Sequence, residues 1–400
     1  MTSRPSRPPL RVAIPLAATL FFSGAAAAAT VPYGAIVAIE GLGMSNADYA
    51  LILTVNSVVG VLSALLVGWF SDNVRDRRLL VIAASILCIA GNLLVWAVHE
   101  PWAYVVAICG ILALGGAMTS QTLAFARAYL VQRGGEVDFY MTLMRAAFSV
   151  SWVIGPPIAG WIAATYSVFD TFGMAALSML VCAGLFAALL RVPETSLPPP
   201  RLDPAAPAPA RGIAAPMLVG LVGVVALNTA QRLNGLATPL AIISHWHGNV
   251  GDVGLYASFA AFFEIPFMVG WGFVVRRVPV ALAIAVATAL YALYLYLVAG
   301  VTSVTELLWL QVLNGLAIGG MLSLPISYIQ EAIRGRVGLS TSLLDVVFVA
   351  SGLISAGIFA LAATDRHYLA IFPIAGWVSV GGAAIMALAW WMGRRPATSG

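Results

Sequence analysis

The chain has 400 residues, of which 61% are hydrophobic and 9% charged, and its mean hydropathy is +0.96. Soluble domains carry about 25% charged residues, so this composition excludes a soluble globular protein of this length. All 20 basic residues are Arg and the net charge is +4. They stand singly or in short groups between apolar runs, which excludes the compact basic patch of a nucleic-acid-binding protein.

A bilayer is crossed by about 20 apolar residues in a helix. Such runs recur over 12–38, 48–70, 79–98, 102–126, 138–165, 168–190, 215–244, 252–275, 279–300, 304–330, 337–363 and 367–392. Helices are expected because an open strand leaves its backbone unsatisfied in lipid, and the runs are too long for barrel strands. The first begins like a secretory leader, with Arg4, Arg7 and Arg11 ahead of it and the small residues Ala25 to Ala29 inside it. Its apolar stretch continues from Val31 to Ile39, which makes it a span.

The arginines fall in every second gap. Arg75, Arg77 and Arg78 follow the second run, Arg127 and Arg133 close the fourth, and Arg191, Arg201 and Arg211 follow the sixth. Arg276 and Arg277 follow the eighth, Arg334 and Arg336 the tenth, Arg394 and Arg395 the twelfth, while the other gaps hold Arg366 alone. This positive-inside pattern predicts twelve spans with both termini cytoplasmic. Cys88, Cys109 and Cys182 all lie in apolar runs and do not report a redox compartment.

After the sixth run comes PETSLPPPRLDPAAPAPARGIAAP, 193–216, Pro/Ala-rich and expected to be an extended cytoplasmic linker. It separates a six-span half, 1–192, from a second six-span half, 217–400, the layout of internally repeated transporters. Gly68 closes the second run before a turn holding Asp72, Arg75, Arg77 and Arg78. Gly270 closes the eighth before Arg276 and Arg277, a fainter copy without the acid.

Four charges lie within apolar runs: Arg145 in the fifth, Arg232 in the seventh, Glu264 in the eighth and Asp345 in the eleventh. Each costs about 2.5–3.5 kcal/mol or more at a helix centre, so each should face a partner or a polar cavity. They sum to zero, which favours a neutral polar substrate. Asn228, Gln231 and Arg232 share one helical face, as do Arg145, Ser149 and Trp152. With Asn56, Gln121 and Asn314 they offer hydrogen bonds to hydroxyls, and Trp152 offers an aromatic plate for a sugar ring. Any one of these amides can equally be interhelical glue. Glu264 is the first candidate for a coupling acid, Arg232 its expected partner, and Asp345 the second candidate. The pair Pro156-Pro157 after Gly155 should kink its helix and free a carbonyl. His245 and His247 in HWHGN are not expected to hold metal, and neither a phosphate-binding loop nor a nucleophile–base constellation is present, so no enzyme activity or cofactor is expected.

The turn GWFSDNVRDRR, Gly68 to Arg78, resembles the cytoplasmic motif between helices two and three of the major facilitator superfamily, with Arg75 where the motif has Gly. The resemblance implies an all-α membrane protein of twelve helices in two six-helix halves, in which spans three, six, nine and twelve face lipid. It also implies a gating role for Gly68, Asp72, Arg75, Arg77 and Arg78, and for the helix-five pair Gly155 and Pro156. TVNSVVGV, FARAYLVQRGGEVDFYMTLMRAAFSVSWVIGPPIAG, FFEIPFMVG and YIQEAIRGRVGLSTSL together resemble the bacterial sugar efflux transporter family. That narrower resemblance implies export of sugars or glycoside-like molecules across the bacterial inner membrane by alternating access, in exchange for protons. A multidrug exporter of the same superfamily is the alternative.

Overall fold

The computed structural model describes residues 8–74, 76–133, 136–197, 215–332, 337–363 and 367–394. All regular structure among them is helical. The spans are α1 (Leu10–Tyr33), α2 (Asn46–Asn73), α3 (Arg77–Ala97), α4 (Pro101–Gln132), α5 (Val137–Thr165), α6 (Asp170–Leu190), α7 (Ala215–Ser244), α8 (Val250–Val274), α9 (Val280–Val298), α10 (Val304–Ala332), α11 (Val337–Ala362) and α12 (Tyr368–Gly393). Eleven of these are long and apolar enough to cross a membrane, and α11 adds the apolar run Val346–Ala362.

Two boundaries differ from the sequence reading. The first run does not continue as α-helix to 38 but passes through Val31–Tyr33 into a π-helical turn, Ile36–Gly41. The linker region opens with a 3-10 turn, Pro193–Thr195, and α7 begins at Ala215. Residues 198–214 of the linker lie outside the described residues.

The chain forms two compact units, 1–44 with 58–202 and 253–258, and 45–57 with 203–252 and 259–400. The first end of α2 therefore belongs to unit 2, and the first turns of α8 to unit 1. Inside unit 1, α1 packs on α5 and α6, and α3 packs on α4 and α6. Inside unit 2, α7 packs on α11 and α12, and α9 packs on α10 and α12. The second set is the first shifted by six helices, so the repeat that the sequence only hints at is plain in the packing.

Small residues permit this packing. In lipid, association relies on close van der Waals fit rather than on escape from water. The run Ala25 to Ala29 serves that purpose: Ala28 is fully buried, and Gly24 seats the side chain of Ser151 on α5. In unit 2, Gly223 of α7 and Gly382 of α12 face each other, with a Cβ on Gly223 only 3.3 Å from the Gly382 carbonyl.

The connection from α7 to α8 shows how HWHGN folds. His247 adopts a left-handed conformation, φ 52°, and the Gly248 amide closes the helix end on Ile242 O at 2.8 Å. Asn249 then caps α8 in a reciprocal box with Asp252. Both histidines belong to a structural turn, and no cluster of metal-binding side chains occurs among the described residues.

Candidate functional site

The candidate polar residues are divided between the units, with Gln121, Arg145 and Trp152 in unit 1 and Asn56, Asn228, Gln231, Arg232, Glu264, Asn314 and Asp345 in unit 2. In unit 1, Arg145 is exposed, while Gln121 and Trp152 are half-buried.

In unit 2, three helices meet at Gly352 of α11. A Cβ at that position would stand 2.7 Å from the Ser57 hydroxyl on α2 and 3.7 Å from Nη1 of Arg232 on α7. Arg232 is nevertheless exposed, so its guanidinium lies along α11 with one side open. Asn228, one turn earlier on α7, spends an amide proton on its own helix, at Val224 O, 2.9 Å. Asn56 and Gln231 are half-buried.

Glu264 lies at the crossing of α8 and α10. Gly315 and Gly319 of α10 press against the α8 backbone itself: Cβ atoms there would stand 2.8 Å from the Glu264 amide and 2.8 Å from the Met268 amide. Such contact of main chain with main chain fixes where Glu264 starts, independently of its side chain. The carboxyl is half-buried, and it forms no ion pair with Arg232 among the described residues. The expected pair of these two is therefore not formed in this structure. The side chain of Asp345 lies outside the described residues.

Asn314 departs most from its expected role. It is 1% exposed and donates to Gln311 Oε1 at 2.6 Å, while Gln311 in turn donates to Tyr294 Oη of α9 at 3.3 Å. Asn314 thus bonds within its own helix and reaches α9 only through Gln311; it is buried rather than open to a substrate. The reason is rotational: position 314 falls on the face of α10 that meets α9.

At the arginine-bearing ends of unit 1, the 3-10 turn after α6 gathers charges from across the sequence. Glu194 receives Arg11 of α1 at 2.7 Å and also pairs with Arg133, which follows α4. The neighbouring Thr195 accepts from Arg78 Nη1 at 2.7 Å, and the same nitrogen donates to Leu189 O at 3.0 Å. Arg78 also pairs with Asp76 at 2.6 Å. Asp76 is the N-cap of α3, accepting from the Arg78 amide at 3.0 Å. The side-chain hydrogen bond from Arg78 holds the Asp76 carboxyl below the usual carboxylate range against its partial desolvation. At Glu194 desolvation pushes upward, but hydrogen bonds and charge from Arg133 and Arg11 prevail and hold it low. Of the motif residues named from the sequence, Arg77 and Arg78 open α3, Gly68 and Asp72 are carried within α2 with side chains outside the described set, and Arg75 lies outside the described residues. Glu194 was missed. The signal available was an acid just after an apolar run on the arginine-rich side.

On α5, Gly155 lies against Ala28 of α1, and Pro156 is buried with its carbonyl accepting from Tyr33 Oη at 3.1 Å.

Helices of spanning length in two units with one packing plan define a polytopic membrane protein. The family model of the Major Facilitator Superfamily matches residues 16–230, and the chain belongs to that superfamily. It is similar to a putative sugar efflux transporter of Deinococcus radiodurans, 26% identical over 96% of this chain and 98% of that one. It is also similar to sugar efflux transporter A of Escherichia coli K12, 28% identical over 89% of this chain and 90% of that one. The resemblance to bacterial sugar efflux transporters thus runs along nearly the whole sequence. Among solved structures, a POT family transporter crystallised with a thioalcohol-conjugated peptide superposes with a TM-score of 0.81 at 11% identity, covering 96% of each chain. That likeness is one of fold.

Proposed function

We propose that this chain exports sugars or glycoside-like small molecules across the cytoplasmic membrane of a bacterium by alternating access, in exchange for protons. The observation that carries the substrate class is the similarity to sugar efflux transporters over almost the full length of both chains. The residues support it in kind. Arg232, Asn228, Gln231 and Asn56 are uncharged or cationic hydrogen-bonding groups in spans, suited to hydroxyls, and Trp152 supplies a flat apolar face. Arginine bias places both termini in the cytoplasm.

Glu264 is the proposed coupling acid. It stands mid-span, half-buried, with its backbone fixed by two glycines and no arginine bound to it among the described residues. A carboxyl in such a place changes charge at low structural cost, whereas one locked to a guanidinium does not. In proteoliposomes loaded with labelled lactose, glucose or a simple glycoside, Glu264→Gln is expected to abolish efflux driven by a pH gradient and to retain exchange of substrate for substrate. Wild-type gradient-driven efflux by Glu264→Gln would remove Glu264 from this role and pass it to Asp345, which the same two assays on Asp345→Asn would test.

A further inference from the structure

The proline pair of α5 frees a backbone group whose new partner comes from α8. Pro157 has no N–H, so the carbonyl of Val153, four residues earlier, loses its helical donor. Within unit 1, Ser258 Oγ donates to that carbonyl at 2.6 Å, and Ser258 is 8% exposed. One turn earlier on the same face of α8, Gly254 lies directly on the Pro156 carbonyl, and a Cβ there would also stand 2.7 Å from Tyr33 Oη. Tyr33 is fully buried and donates to the same Pro156 carbonyl. Two successive turns of α8 are thus fitted to two carbonyls beside the proline pair, one by a hydroxyl and one by the absence of a side chain.

We infer that Ser258 is a positioning residue for transport, capping the Val153 carbonyl that Pro157 frees, and that Gly254 is the gap that lets it reach. The inference rests on the alternating-access reading above. In an apolar span, a carbonyl with no donor is penalised, so the first turns of α8 cannot leave α5 without losing this hydrogen bond. Its strength therefore weights the cycle toward the docked arrangement and holds the neighbouring Trp152 in register.

The test is hydrogen exchange, read by mass spectrometry, on the protein in proteoliposomes. In Ser258→Ala the amides of residues 253–258 are expected to exchange about tenfold faster, the factor carried by one lost hydrogen bond. Ser258→Thr, which keeps the hydroxyl, restores wild-type exchange and wild-type gradient-driven efflux. The deciding arm is Pro157→Ala, which returns an N–H to the Val153 carbonyl. In that background, Ser258→Ala should alter exchange by less than about twofold, because the carbonyl keeps a donor. Wild-type exchange in Ser258→Ala, or the same tenfold effect in both backgrounds, overturns the assignment. If Ser258→Ala does not accumulate in the membrane, Ser258→Cys, a weaker donor, takes its place and is expected to fall between wild type and a full loss. The exchange readout needs no substrate, so failure to transport any sugar with normal exchange behaviour would refute the functional reading and leave this one standing.

Discussion

The arginine-bearing ends of the two units solve one problem in two ways. In unit 1 the guanidinium groups find carboxylates and carbonyls brought from far along the chain: Arg11 and Arg133 meet at Glu194, and Arg78 reaches Asp76, Leu189 O and Thr195. In unit 2, among the described residues, Arg276 lies 4.9 Å over the ring of Phe273, and Arg394 lies 4.1 Å over Trp390. Each of these stacks joins residues three or four apart on one helix end. Unit 1 therefore ties several helices together through its charges, though Arg133 also lies over Tyr129, while in unit 2, among the described residues, Arg276 and Arg394 are sheltered locally. The contrast follows from composition: the turn after α2 holds Asp76, and the turn after α8 holds no acid.

The largest effect expected from this contrast is at Arg78. Its side chain is 6% exposed and serves three partners. Arg78→Ala takes the guanidinium from Asp76, removes one donor each from Leu189 O and Thr195, and should cost about 2–4 kcal/mol. It would be seen as a clear fall in thermal unfolding temperature in detergent. Arg276→Ala should cost about 0.5–1 kcal/mol, the worth of an exposed cation–π contact. Equal losses at the two sites would break the comparison.

A smaller and more specific effect is acid sensitivity at the arginine-bearing end of unit 1. Asp76 and Glu194 both have depressed carboxyl pKa values in the folded protein. Groups depressed by folding stabilise above their unfolded pKa, near 4, and lose that contribution as pH falls through the folded value. Thermal unfolding followed from pH 7 downward should show a decline beginning near pH 5, and Glu194→Gln should flatten it while lowering stability at neutral pH. A wild-type slope in Glu194→Gln would show that the hub does not contribute.

The smallest effect is at Arg394. Replacement by Lys keeps the charge and loses the planar stack on Trp390, for about 0.5 kcal/mol or less. Raising salt to about 0.5 M should leave the unit 2 stacks nearly unaffected while weakening the exposed Arg11–Glu194 pair, since salt screens exposed charge pairs.

The same contrast explains what was legible in the sequence. Span positions and the repeat could be read because apolar run length and arginine spacing are properties of neighbouring residues. The local stacks of unit 2 are of that kind. Glu194 was not, because Arg11 lies 183 positions away and only the fold brings it there. Asp76 carried a signal of its own, since an Asp just ahead of an apolar helix is an ordinary N-cap. Asn314 looked like any amide in a cavity-type span, and which face of α10 it occupies depends on the packing of α9. Pro157 names the carbonyl that it frees, but nothing in the sequence names Ser258 as the donor.

The glycine seam of α10 also bears on how this protein can change over time. Where Gly315 and Gly319 meet α8, main chain touches main chain and no side-chain layer lies between. Where side chains fill the space between helices, a lineage can drift by exchanging one bulky residue for another of similar volume. At these two positions there is nothing to exchange, since even a methyl group meets backbone. Substrate preference can therefore diversify through the faces of α7 and α5 while the stretch bearing Glu264 stays fixed, so that new cargo can be acquired without rebuilding the part proposed to be driven by protons.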